Sequence, residues 1–281
     1  MSLRRCAIVQ RMPTLKELTV ETLTHLAAGG TERVAVDEDA RGILREWMLA
    51  ARSSKKSAPQ TQRVTEPQPK AEPEMSAEEK LAYLRRRAER WKPASALGTL
   101  REKMVFAVGS PRARLMLVGE APGYDEERLG EPFVGKAGQL LNKILTAMGL
   151  KREEVYISNV CKWRPSMGEN QGTANRAPTP EEIAACLPLI MAEIRAVRPA
   201  CIVCLGASSA KGLLQRELSV GSVRGQWAEC QGVPVRVTYH PSYLLRNEQL
   251  SARRAVWEDM LAVMERLGMP ISEKQRGYFR S

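Results

Sequence analysis

The stretch that decides the fold runs from Leu115 to Gly149 and reads LMLVGEAPGYDEERLGEPFVGKAGQLLNKILTAMG. Its first four residues are an unbroken apolar run closed by Gly119, the pattern of a strand buried on both faces. From Ala137 to Met148 the spacing becomes helical. Leu140, Leu141, Ile144, Leu145 and Met148 share one face, and Gly149 supplies the C′ stop. Downstream the same alternation repeats. Val155–Ile157 reads as a second strand. Thr179-Pro180-Glu181-Glu182 is a capping box with proline at N1, opening a helix whose Ile183, Cys186, Leu187, Ile190, Met191 and Ile194 form one stripe. Cys201–Leu205 is a third strand, Ala207–Leu218 a helix and Val233–Thr238 a fourth strand; a last helix spans about Ser251 to Leu267. Strands alternating with helices predict an α/β fold, a three-layer α/β/α sandwich around a mostly parallel four-stranded sheet.

Upstream, Ser76-Ala77-Glu78-Glu79 is a capping box that starts a helix through about Trp91, with Arg85, Arg86 and Arg87 on it. Residues 53–75 hold Pro59, Pro67, Pro69 and Pro73 among polar side chains and read as an extended linker. Residues 1–52 carry helical spacing at Leu44, Trp47, Met48 and Ala51, a small helical appendage in which His25 stands alone. The expected organisation is therefore 1–52, a linker at 53–75, and an α/β domain over 76–281.

The 281 residues are 43% apolar and 27% charged, which excludes a wholly disordered or fibrous chain. No run approaches the roughly 18–20 apolar residues of a membrane span. The first residues lack the apolar core of a secretion signal, so a cytoplasmic protein is expected. Lys and Arg number 43 against 32 Asp and Glu, a net +11 that suits a polyanionic partner. The six cysteines then read as thiols rather than a disulfide framework. Cys201 and Cys204 form a C-x-x-C, but on a strand positions three apart face opposite ways, so they are core residues and not a metal pair.

In an open α/β sheet ligands bind beyond the carboxyl ends of the strands. Four segments fall there: GEAPG (119–123) with its following loop, SNVCKWRP (158–165), the turn at Gly206-Ala207-Ser208-Ser209, and HPSYLLR (240–246). The first is no Walker loop, because Gly135-Lys136 is followed by Ala137, nor is it a dinucleotide fingerprint.

These segments, with GEPFVGKAGQLL (130–141), NRAPTPEE (175–182), LGASSAKGLL (205–214) and Arg224-Gly225, closely resemble the uracil-DNA glycosylase superfamily, specifically family 4, over roughly residues 92–262. The resemblance implies an enzyme that flips uracil from single- or double-stranded DNA and hydrolyses its N-glycosidic bond, acting as a monomer. It implies that Phe133 stacks on the base, that the Asn159 amide reads its O4/N3 edge, and that His240 donates to O2 as the base departs. Gly119, Glu120, Ala121 and Gly123 would contribute backbone around the base, and Glu126 would exclude thymine or position water. Ser242, Leu244, Leu245 and Arg246 would form the DNA-entering loop, a leucine as wedge and Arg246 on phosphate. Ala121 stands where other superfamily members carry a catalytic aspartate. A catalytically weak DNA-binding member, or a glycosylase for hypoxanthine or another deaminated base, remain alternative readings. Family 4 also implies an iron–sulfur cluster on four cysteines, yet the matching positions are Lys92, Ser95, Trp163 and Cys186, with Cys161 two residues off. No cofactor and no metal are therefore expected. The segment Ser166–Asn175 reads as an insertion without histidine.

Overall fold

The computed structural model describes residues 75–247 and 249–280. The expectations for 1–52 and, except for Met75, for 53–75 lie outside the described residues. Helix α1 (Ala77–Ala88) opens on the Ser76/Glu79 capping box, and the short α2 (Lys92–Ser95) follows. Then come β1 (Leu100–Met104), β2 (Ala107–Gly109), β3 (Leu115–Gly119), α3 (Tyr124–Leu129) and α4 (Lys136–Met148). Strands β4 (Tyr156–Asn159) and β5 (Trp163–Pro165) precede α5 (Pro180–Val197), β6 (Cys201–Leu205) and α6 (Ala207–Leu214). The rest is α7 (Val220–Val223), β7 (Trp227–Cys230), β8 (Val233–Thr238), α8 (Pro241–Arg246), α9 (Leu250–Arg266) and α10 (Glu273–Gly277).

The sheet has six strands in the order β2-β4-β3-β6-β8-β7, not four. The four expected strands are its parallel centre, and β2 and β7 close the edges antiparallel. A separate antiparallel pair joins β1 to β5. The missed strands are three to five residues long and partly exposed or polar, too short to show a period of two. Helix α6 also stops at Leu214 rather than Leu218, because Gln215 turns into the left-handed region at φ 48°.

Two apolar layers hold the sheet. On one face Met116, Val118, Ile202, Cys204 and Val237 pack with Ile190 and Ile194 of α5 and Leu213 of α6. On the other, Leu115, Leu117, Cys201 and Val203 pack with Leu141 and Leu145 of α4 and Met260 and Met264 of α9. Cys201 and Cys204 thus fall on opposite faces. Among the described residues no helix is long and apolar enough to cross a membrane.

Register sets the location of the site. Gly119 lies opposite Asn159, Val118 opposite Cys204, and Leu205 opposite Thr238. The four parallel strands therefore end level, and the loops that follow them meet.

Candidate active site

Those loops enclose a cleft of about 490 Å³ whose walls include Glu120, Gly123, Glu126, Phe133, Asn159, Ser208, His240, Ser242 and Arg246. Gly119 lies directly against two of these side chains. A Cβ there would come within 2.3 Å of Asn159 Oδ1 and 2.5 Å of the Phe133 ring, so only glycine lets these side chains close over it.

Phe133 occupies an unfavourable backbone state, φ 56°, which costs a bulky residue about 1–3 kcal/mol. Its neighbours hold it there. Glu126 Oε1 accepts from the amides of Val134 (3.0 Å) and Gly135 (2.9 Å), while Oε2 accepts from Gly123 (3.1 Å). The Arg152 guanidinium donates to the Pro132 carbonyl and to Glu131. Gly138 of α4 permits the approach from beneath, since a Cβ would lie 1.8 Å from the Phe133 oxygen. The Glu126 carboxylate is thus committed to three backbone donors. It braces the aromatic loop instead of standing free for water, which departs from its expected catalytic role.

His240 caps α8, and its Nδ1 accepts the Ser242 amide at 3.1 Å, with Ser242 Oγ 2.8 Å away. A lone pair on Nδ1 puts the ring proton on Nε2. Burial, and then the nearby Arg246 charge, push His240 down to about 4, so the ring is neutral at physiological pH. The Ser242 amide thereby sets the tautomer, and the residue itself lines the cleft. Gly206, at φ 96°, brings its backbone against the histidine; a Cβ would lie 3.2 Å from that of His240.

Burial raises the Glu120 carboxyl, an effect opposed by a hydrogen bond from Ser208. Expected to offer mainly backbone, Glu120 brings a carboxylate to the cleft wall. Leu244 is 6% exposed and packs with Ala252 and Val256, so it is a core residue and not a DNA wedge. Leu245 beside it is 45% exposed, and Arg246 is exposed at the rim. Asn175, Arg176 and Ser208 also line the cleft. Ser208 belongs to one of the four segments expected at the strand ends, whereas nothing in the motif at 175–182 pointed Asn175 or Arg176 inward. Buried Arg164 does the placing: it donates to Asn175 Oδ1 (2.9 Å), to the carbonyls of Gly172 and Ala174, and to Glu127.

The residues at the family's cluster positions do not fit an iron–sulfur centre. Lys92 and Ser95 are exposed on α2, while Trp163 and Cys186 join Cys161, Ala94, Phe106 and Leu189 in a buried apolar knot. Trp91 seals it, its indole N–H donating to the Ala185 carbonyl at 2.7 Å. Four thiolates are needed. Here Cys161 and Cys186 are neighbours, and their mutual interaction pushes the first thiol up and the second down. Among the described residues no three His, Cys, Asp or Glu side chains converge on a metal position.

A sheet ending in this cleft, lined by these motifs, defines a base-excising enzyme of the DNA-repair class, and residues 106–261 match the model of the uracil DNA glycosylase superfamily. The chain belongs to that superfamily. It is 43% identical to the type-4 uracil-DNA glycosylase of Thermotoga maritima over 162 residues, 57% of this chain and 81% of the relative. It is also 43% identical to that of Archaeoglobus fulgidus over 154 residues, covering 52% and 74%. The type-5 uracil-DNA glycosylase of Pyrobaculum aerophilum is 32% identical over 149 residues, covering 50% and 66%.

Proposed function

We propose that this chain is a monofunctional uracil-DNA glycosylase that works as a single chain without an iron–sulfur cluster. The observation that carries the reading is the meeting of Phe133, Asn159 and a neutral His240 in one cleft. A uracil flipped from the stack lies on the Phe133 ring. The Asn159 amide donates to O4 and accepts from N3–H, a pattern that cytosine reverses.

The C1′–N1 bond breaks with its electron pair passing to the base. Charge gathers on O2, where His240 Nε2–H donates. A neutral donor suits this step, because it stabilises the developing anion without handing over a proton early. Water then bonds to C1′ of the oxocarbenium-like sugar, and Glu120 orients it and accepts its proton. The uracil anion leaves and takes up a proton from solvent, Glu120 gives its proton back to solvent, and an abasic site remains. The exposed Leu245 fills the space left in the duplex, and Arg246 meets a phosphate. With a net +11, phosphate contacts supply most of the affinity.

The test is alkali-sensitive cleavage of oligonucleotides carrying uracil opposite adenine, uracil opposite guanine, or hypoxanthine. Cleavage at uracil alone is expected. Cleavage at hypoxanthine alone transfers the assignment to that base, and binding without cleavage leaves a damage-recognition protein.

A further inference from the structure

Behind Asn159, on the side away from the cleft, lies a closed polar network that the proposed chemistry does not use. Lys162 and Glu193 are both fully buried and form an ion pair. The Lys162 ammonium also donates to Ser158 Oγ at 2.6 Å and to the backbone carbonyl of Asn159 at 2.7 Å. The other Glu193 oxygen accepts from Ser158 Oγ (2.7 Å) and Tyr156 Oη (3.2 Å). Burial first, and the Glu193 carboxylate next, push the Tyr156 phenol well above its usual range.

Such a pair needs a reason other than stability. Removing two charges from water costs several kcal/mol per ion, and apolar residues of similar size often hold a fold as well or better. What the pair does supply is direction. Asn159 is the last residue of β4, where its carbonyl would otherwise be free to turn. The ammonium fixes that carbonyl, while the Val160 and Cys161 amides donate to Gly119 and Glu120 oxygens at 3.0 Å. With the peptide held on both sides, the Cα–Cβ bond of Asn159 can point only over Gly119 and into the cleft.

We propose that Lys162, charge-balanced by Glu193, is a positioning residue that sets the orientation of Asn159 and so the fidelity of base reading. The inference rests on Asn159 reading uracil, and the experiment separates the two. The variant Lys162→Met/Glu193→Gln removes both charges together and leaves Ser158 and Tyr156 a polar partner. It should melt cooperatively and bind uracil-containing DNA as the parent does. Its single-turnover excision rate should fall about 10- to 100-fold, the cost of a misplaced group. Adding Asn159→Ala to it should cost far less than in the parent, a non-additivity expected only if both act through one orientation. An unchanged rate in the folded double variant, or strict additivity, overturns the proposal. A normal rate for Asn159→Ala alone overturns the base-reading assignment and this inference with it. Should the double variant not fold, Ser158→Ala decides: a several-fold slower rate at unchanged KM supports the device, and a parental rate refutes it.

Discussion

Phe133 and His240 face each other across the cleft, ring centroids 5.7 Å apart and planes tilted by 33°. One offers a face for a planar base and the other an N–H at its edge. The two belong to loops after different strands, so their spacing is set by the sheet. A substrate that satisfies both must be flat, must carry an acceptor at its rim, and must enter edge first.

His240→Ala should lower the excision rate about 100-fold, roughly 3 kcal/mol, as for loss of an oxyanion donor, with DNA affinity nearly unchanged. Near-parental turnover would remove His240 from the mechanism.

The same histidine predicts a pH signature. Its value drops from 6.5 in the unfolded chain to about 4 when folded, so between those pH values the unfolded state binds the extra proton. Stability present above pH 6.5 is therefore lost as pH falls toward 4, by an amount on the order of 3 kcal/mol. Thermal melts of the parent should drop more steeply over that range than those of His240→Gln. Parallel curves would show an ordinary imidazole.

Glu126 and Glu120 should separate under substitution. Glu126→Ala strips three backbone donors of their acceptor and should cost about 2–4 kcal/mol of stability together with rate. Glu120→Gln should slow excision while leaving the melting temperature at pH 7 equal or higher, since burial already disfavours that charge. The reverse pattern would exchange their roles.

Leu245→Ala should weaken excision from duplex more than from single strands and leave stability alone. Leu244→Ala should cost about 2–5 kcal/mol on any substrate. Equal behaviour on both counts would contradict the burial difference.

Anaerobic purification with iron and sulfide supplied should give a colourless protein without stoichiometric iron. Trp163→Ala should destabilise it by about 3–5 kcal/mol, because the indole fills the knot. A visible iron–sulfur spectrum with about four irons per chain would overturn this assignment.

Three of the four central strands were legible because buried parallel strands are written as apolar runs, Leu115–Val118, Val155–Ile157 and Cys201–Leu205; the fourth, Val233–Thr238, was legible instead as valines alternating with Pro234, Arg236 and Thr238. The edge strand Ala107–Gly109 was not, being set by pairing to β4 and carrying no pattern of its own. Motifs led to the right loops, and chemistry alone could not apportion roles within them. Two glutamates six residues apart look equivalent on paper, and only the amides of Val134 and Gly135 decide which of them is occupied. Leu244 and Leu245 likewise differ only in which way one short helix turns them.

The level strand ends have a consequence for the nucleic acid. Gly119 and Asn159 are paired strand ends and the Gly206 amide donates to the Thr238 carbonyl, so on the proposed function the pocket would act as a template and the nucleic acid would be the partner that deforms. The cost of the proposed extrusion would then fall on base pairing and stacking, which are weakest at a mismatch. Discrimination among genomic uracils would accordingly reside in how readily each pair opens, with a wobble partner surrendering its base sooner than a Watson–Crick one.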